Sequence, residues 1–73
     1  MIILSRHARR QMKWRGISLQ DIELVVNKPF KETPAVKGRV NIWGETAKGL
    51  LKITIAKEGD NIIVVTVIRR ERK

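Results

Sequence analysis

The hydrophobic period of this chain changes once, near Pro29, and that change limits what it can fold into. Before Pro29 apolar residues recur at helical spacing; after it they alternate or cluster in short β-branched segments punctuated by glycine. The order predicts an α+β fold: two N-terminal helices packed on one face of a three- to four-stranded antiparallel sheet. Met1 to Leu4 is either a short N-terminal strand or an apolar staple ahead of the first helix. Ser5 reads as the N-cap of that helix and Gly16 as the left-handed residue that follows it. Ser18 is a second N-cap with Asp21 in the capping-box position, and Leu19, Ile22, Val25 and Val26 form a buried stripe that Pro29 ends.

Val40 to Trp43, Leu50 to Ala56 and Ile62 to Ile68 are the strand segments, with Phe30 to Lys37 a weaker one interrupted by Pro34. The connections Ala47-Lys48-Gly49 and Glu58-Gly59-Asp60-Asn61 predict hairpins, and Ile62 to Ile68 is expected at the centre of the meander. Alternation assigns Val40, Ile42, Leu51, Ile53, Ile55, Ile63, Val65 and Val67 to the face under the helices. It assigns Arg39, Asn41, Trp43, Lys52, Thr54, Thr66 and Arg70 to the other face. That second face reads as a nucleic-acid platform, as an ordinary solvated surface, or as a dimer interface through Ile62, Val64 and Ile68.

With 73 residues and no internal repeat or linker, the chain is expected to form a single domain over 1–73. Sixteen Lys and Arg against seven Asp and Glu leave a net charge of +9, a sign and size that attract phosphate polymers. Arg6, Arg9, Arg10 and Lys13 share one sector of the first helix with no carboxylate among them, so they repel one another. A phosphate backbone laid across them relieves that repulsion; a solvated face of long stems is the other reading. The tail Arg69, Arg70, Glu71, Arg72, Lys73 is a second cationic cluster or a mobile end. The chain has no cysteine, hence no disulfide framework, thiolate nucleophile or cysteine-built zinc site, which fits a cytoplasmic setting. The opening apolar run is too short for a signal-peptide core, and no run approaches the roughly 20 residues of a membrane helix, so no membrane partner is expected.

His7 is the only histidine, beside Gln11 and Trp14 on the helical wheel. Flanking arginines disfavour its imidazolium and keep a neutral base available, as proton abstraction from a ribose 2'-hydroxyl requires; a capping or packing histidine is the alternative. One histidine with unclustered carboxylates predicts no metal site, and no cofactor is expected. Arg15 in the last turn faces the negative end of the helix dipole and reads as structural, together with Gly16. Trp14 and Trp43 could stack on bases or anchor the core. There is no Gly-rich phosphate loop, Ser/His/Asp arrangement or carboxylate pair, which removes ATPase, hydrolase and glycosidase classes.

The run Ser5, Arg6, His7, Ala8, Arg9, Arg10, Gln11, Met12, Lys13, Trp14, Arg15, Gly16, Ile17, Ser18 resembles the motif S-x-H-A-x-x-R-M-x-x-R-G-I-S of a small bacterial and phage family, domain of unknown function 4258. Asn27-Lys28-Pro29 and Val65-Thr66-Val67 resemble it too, while Gln11 stands where the family usually has Arg. The helix-helix-sheet order of that family is similar to RelE- and BrnT-type ribonuclease toxins. That similarity implies metal-independent cleavage of messenger RNA, often on the ribosome, and a partner antitoxin. The motif carries His7 and Arg15 as positions, without roles. Toxins of the RelE type tend to use Arg, Lys and a Tyr near the chain end; this chain has no Tyr, so an acid/base role falls to His7.

The expectation is therefore a small basic RNA-binding protein of RelE/BrnT-like type. Its enzymatic version is an endoribonuclease with His7 as base and Arg10, Arg39 and Lys52 stabilising charge on the phosphate. Arg6, Arg9, Arg10, Lys13, Trp43 and Arg70 form its expected nucleic-acid-binding set. The rival reading is a noncatalytic nucleic-acid-binding or protein-interaction accessory domain in which His7 and Arg15 specify the fold. RNA or the ribosome, an antitoxin and a second copy of the chain are the expected partners.

Overall fold

Ser5 joins a three-residue strand, β1 (Ile2–Leu4), to a ten-residue helix, α1 (Arg6–Arg15). Its Oγ accepts from the Ala8 N–H at 3.0 Å, and Gly16 closes the helix in the left-handed region with its N–H on Met12 O. Helix α2 (Leu19–Asn27) carries a complete capping box: Ser18 Oγ accepts from Asp21 N–H, and the Asp21 carboxylate accepts from Ser18 N–H. The computed structural model describes residues 1–70; Glu71, Arg72 and Lys73 of the cationic tail lie outside the described residues. Among the described residues no helix is long and apolar enough to cross a membrane.

Four further strands follow, β2 (Lys31–Pro34), β3 (Val40–Thr46), β4 (Gly49–Glu58) and β5 (Asn61–Arg70), and the sheet order is β1-β5-β4-β3-β2. Strands β2 to β5 form the expected antiparallel meander. β1 pairs parallel with β5, Ile2 to Leu4 opposite Ile62 to Val64, so the sheet is five-stranded and mixed where an antiparallel sheet of three to four strands was expected. Three apolar residues carry no record of their partner strand, which lies at the other end of the chain. For the same reason β4 is the central strand and β5, expected there, is second from the edge.

Ala8, Met12, Ile17, Ile22 and Val25 pack against Ile42, Leu51, Ile53, Ile55, Val64 and Val67 in one core. Two of the expected core residues, Ile63 and Val65, are displaced from that face by a register shift. Thr54 pairs with Thr66 but Ile55 pairs with Val64, which leaves Val65 as an extra residue in a β-bulge. Below the bulge the alternation inverts: Val64 is fully buried and Ile62 packs against the core, so neither belongs to a dimer surface on the open face. Ser5 and α1 occupy the groups that the bulge exposes on the edge of β5. Val64 O accepts from Ser5 N–H, Val65 O accepts from Ser5 Oγ, each at 3.0 Å, and Val67 N–H donates to Gln11 Oε1 at 2.8 Å. An arginine at position 11 has no acceptor to offer there.

α2 lies against β3 at Gly44, where a Cβ would stand 2.9–3.1 Å from the Val25 side chain. The glycine thus permits close packing inside a strand, which is why β3 runs through it to Thr46. Lys48, in the turn between β3 and β4, reaches the helices: its Nζ donates to Gly16 O and lies 3.2 Å from Asp21 Oδ2. The Ser18 backbone N–H, with Lys48 beside it, outweighs desolvation and holds the Asp21 carboxyl below its ordinary 3.8.

Three outcomes are expected. Gly44→Ala lowers stability by about 1–3 kcal/mol in urea unfolding, and adding Val25→Ala costs less than the sum of the single changes. Gln11→Met leaves the Val67 N–H unpaired, costs about 1–3 kcal/mol and accelerates hydrogen exchange at that amide. The folded Asp21 carboxyl titrates below its unfolded value, so its contribution is present above the unfolded pKa and is lost as pH falls through the folded one. Urea midpoints measured from about pH 5 down to about pH 2 should fall less steeply for Asp21→Asn than for the parent chain.

Candidate nucleic-acid interface

On the uncovered face of the sheet, cross-strand register arranges side chains in rows. Lys31, Trp43, Lys52 and Ile68 stand in one row; Thr33, Asn41, Thr54 and Thr66 in the next; Glu45, Leu50 and Arg70 on the other side. Trp43 is half-buried, with the Lys31 Nζ 5.0 Å and the Lys52 Nζ 5.6 Å from its ring centroid. Each ammonium is within cation–π reach, so the indole and both charges are held as a unit. Glu45, the carboxylate in these rows, has a partner of its own.

Next to this unit, Pro34, Ala35, Val36, Arg39, Asn41 and Thr54 line a shallow concavity of about 550 Å³. Thr54 Oγ1 donates to Asn41 Oδ1 at 2.8 Å, which fixes the amide and leaves its nitrogen as a donor without a partner among the described residues. The rim is a tight turn over Val36–Gly38 in which Lys37 and Gly38 both take left-handed backbone, closed by Ala35 N–H on Arg39 O at 2.8 Å. Arg39 enters the concavity from the end of this turn, and Arg70 lies exposed in the third row.

The residues expected to act on RNA are divided between two layers. Arg39, Lys52, Trp43 and Arg70 belong to the open sheet face. Arg6, His7, Arg9, Arg10 and Lys13 are exposed on α1, whose Ala8 and Met12 pack into the core on the other side of the sheet. The catalytic set His7, Arg10, Arg39 and Lys52 is therefore separated, two members on each layer. Among the described residues no three His, Asp or Glu side chains are grouped to hold a metal ion.

Trp14 is 82% exposed, which removes it from the core, and the Arg15 guanidinium lies 5.7 Å from its ring centroid. Trp14, Arg15 and Arg69 line a second cleft of about 260 Å³. Lys48 takes the Gly16 carbonyl at the end of α1. Of the cations on these surfaces, Lys31 was given no role in the sequence, and Arg69 only a place in the cationic tail. Lys31 sits in the weakest strand, and only the pairing of β2 with β3 sets it opposite Trp43.

No curated protein and no solved structure matches the chain. A family model described as Domain of unknown function (DUF4258) matches residues 4–69, from the end of β1 through nearly all of β5, and the chain belongs to that family.

Proposed function

We propose that this protein binds single-stranded RNA on the open face of its sheet, with Trp43 as the stacking surface and Lys31, Lys52, Arg39 and Arg70 as phosphate partners. The observation that carries the reading is the half-buried indole with two ammonium groups within cation–π reach of its ring. An unpaired base stacks on an indole whatever its identity, and the phosphates on either side of that base are the anions the two lysines suit. A duplex keeps its bases stacked inside and offers none to the ring, so the fitting substrate is a single strand or a loop. The concavity beside Trp43 gives a neighbouring nucleotide the Asn41 amide and the Arg39 guanidinium. The ridge Arg6, Arg9, Arg10 and Lys13 adds attraction without sequence preference, in keeping with the net charge of +9.

Binding without cleavage is the version proposed. One phosphate would have to meet both layers for His7 to take a proton while Arg39 or Lys52 held the developing charge. The toxin activity implied by similarity to RelE- and BrnT-type proteins rests on that set, and so does the need for an antitoxin to cover it.

Fluorescence anisotropy of a short labelled oligoribonucleotide tests the reading. Trp43→Ala should weaken binding roughly 5- to 150-fold, the range of one lost base stack. Replacing Lys31 and Lys52 by Gln should flatten the salt dependence by roughly 0.7 for each phosphate that is no longer neutralised. A folded Trp43→Ala protein that binds as tightly as the parent chain moves the site off the sheet. A slope that flattens only on replacing Arg6 and Arg10 places it on α1.

A further inference from the structure

Arg15 is unusual in this molecule. Its Nε is the buried side-chain polar atom that has no hydrogen-bond partner among the described residues. Buried donors on charged groups are rarely left unpaired, because losing water without gaining an acceptor is costly. The carbonyl at the helix end does not explain Arg15, since Lys48 donates to Gly16 O. Nor does an ion pair: among the described residues neither Arg15 nor Arg69 has a carboxylate partner. The two guanidinium groups, from the end of α1 and the end of β5, nevertheless line the same cleft, with Trp14 as its third member.

We infer that the Trp14–Arg15–Arg69 cleft binds a phosphomonoester. Two cationic side chains that line one cleft, with no carboxylate partner among the described residues, suit an anion between them, and the charge of a phosphomonoester, near −2, matches theirs. Its three terminal oxygens offer acceptors to both guanidinium groups at once, whereas a single carboxylate fills one fork. Trp14 stacks with Arg15 and is 82% exposed, so its other surface is open to a flat group carried by the phosphate. About 260 Å³ suits a phosphate with one attached ring more than a long strand. This site is on the helix side of the sheet and does not depend on RNA binding at Trp43. The ester has two sources, a free nucleoside monophosphate or the phosphorylated end of an RNA.

The experiment follows the Arg15 Nε–H resonance in the full chain, together with Trp14 fluorescence in Trp43→Phe protein, where Trp14 is the remaining tryptophan. Inorganic phosphate, a nucleoside 5'-monophosphate, and one oligoribonucleotide with or without a 5'-phosphate are titrated at constant ionic strength against chloride. Saturable shifts of the Arg15 Nε–H with phosphate and the monophosphate, beyond the chloride control, are expected. Arg15→Lys, which keeps the charge but loses the fork, should weaken binding at least about tenfold, as should Arg69→Gln, while Lys57→Gln, a loss of one exposed charge elsewhere, leaves it unchanged. Preference for the 5'-phosphorylated oligoribonucleotide assigns the RNA end as the source; equal binding of the two oligoribonucleotides with retained monophosphate binding assigns the free nucleotide. An Arg15 Nε–H that responds to phosphate no more than to chloride overturns the site. That readout needs no variant, so it holds even if Arg15→Lys fails to fold. Loss of RNA binding in Trp43→Ala with the Arg15 response intact separates this site from the one on the sheet.

Discussion

The meeting of Ser5 with the β5 bulge is the interaction on which most of this structure depends. One residue serves two elements there. Ser5 accepts the Ala8 and Arg9 N–H groups that start α1, and it gives its own N–H and hydroxyl to Val64 and Val65 of β5. Gln11, further along the same helix, takes the Val67 N–H. Where β1 stops, the exposed edge of β5 would otherwise present unpaired backbone groups; the helix start and one glutamine fill part of that edge. The bulge also decides which β5 side chains reach the core, placing Val64 beneath the helices in the phase that regular alternation assigns to Ile63 and Val65.

From that junction the two layers acquire different chemistry. The covered face is closed by apolar packing down to the contact of Gly44 with Val25, and the Lys48–Asp21 pair ties the central hairpin to the junction between the helices. That pair uses one of the few carboxylates for architecture. Among the described residues most of the cations form no ion pair, and the fold sorts them: a ridge on α1, a group around Trp43 on the open sheet, and Arg15 with Arg69 where α1 and β5 end. A surface built this way repels itself and favours anionic partners.

These cationic groups differ in what they can distinguish. The α1 ridge is a row of exposed charges, which in the reading proposed above responds to phosphate density alone. Trp43, with Lys31 and Lys52 near its ring, adds a π surface, which in that reading takes unpaired bases. Arg15, partly buried, and Arg69, exposed, line one cleft, which in the reading proposed above suits a compact anion over a polymer backbone. The Arg15 guanidinium, partly buried beside Trp14, would lose less freedom on holding an anion than an exposed lysine.

Both helix caps were legible in the sequence, since Ser5, Gly16, Ser18 and Asp21 act on neighbours within four residues. So were the β2-to-β5 meander and the inward set Ile42, Leu51, Ile53 and Ile55, because short turns and period-two alternation are local properties of the chain. The open-face placement of Asn41, Trp43, Lys52 and Thr54 follows from the same parity. What tertiary structure alone decided is nonlocal: the parallel pairing of β1 with β5, the bulge that inverts β5 below Thr66, the register that sets Lys31 against Trp43, and the cleft that Arg15 and Arg69 share. It also decided that His7 and Arg39 belong to different layers. Period and capping record what a residue does to its near neighbours, whereas these outcomes depend on which distant backbone groups still lack a partner once the local elements have formed.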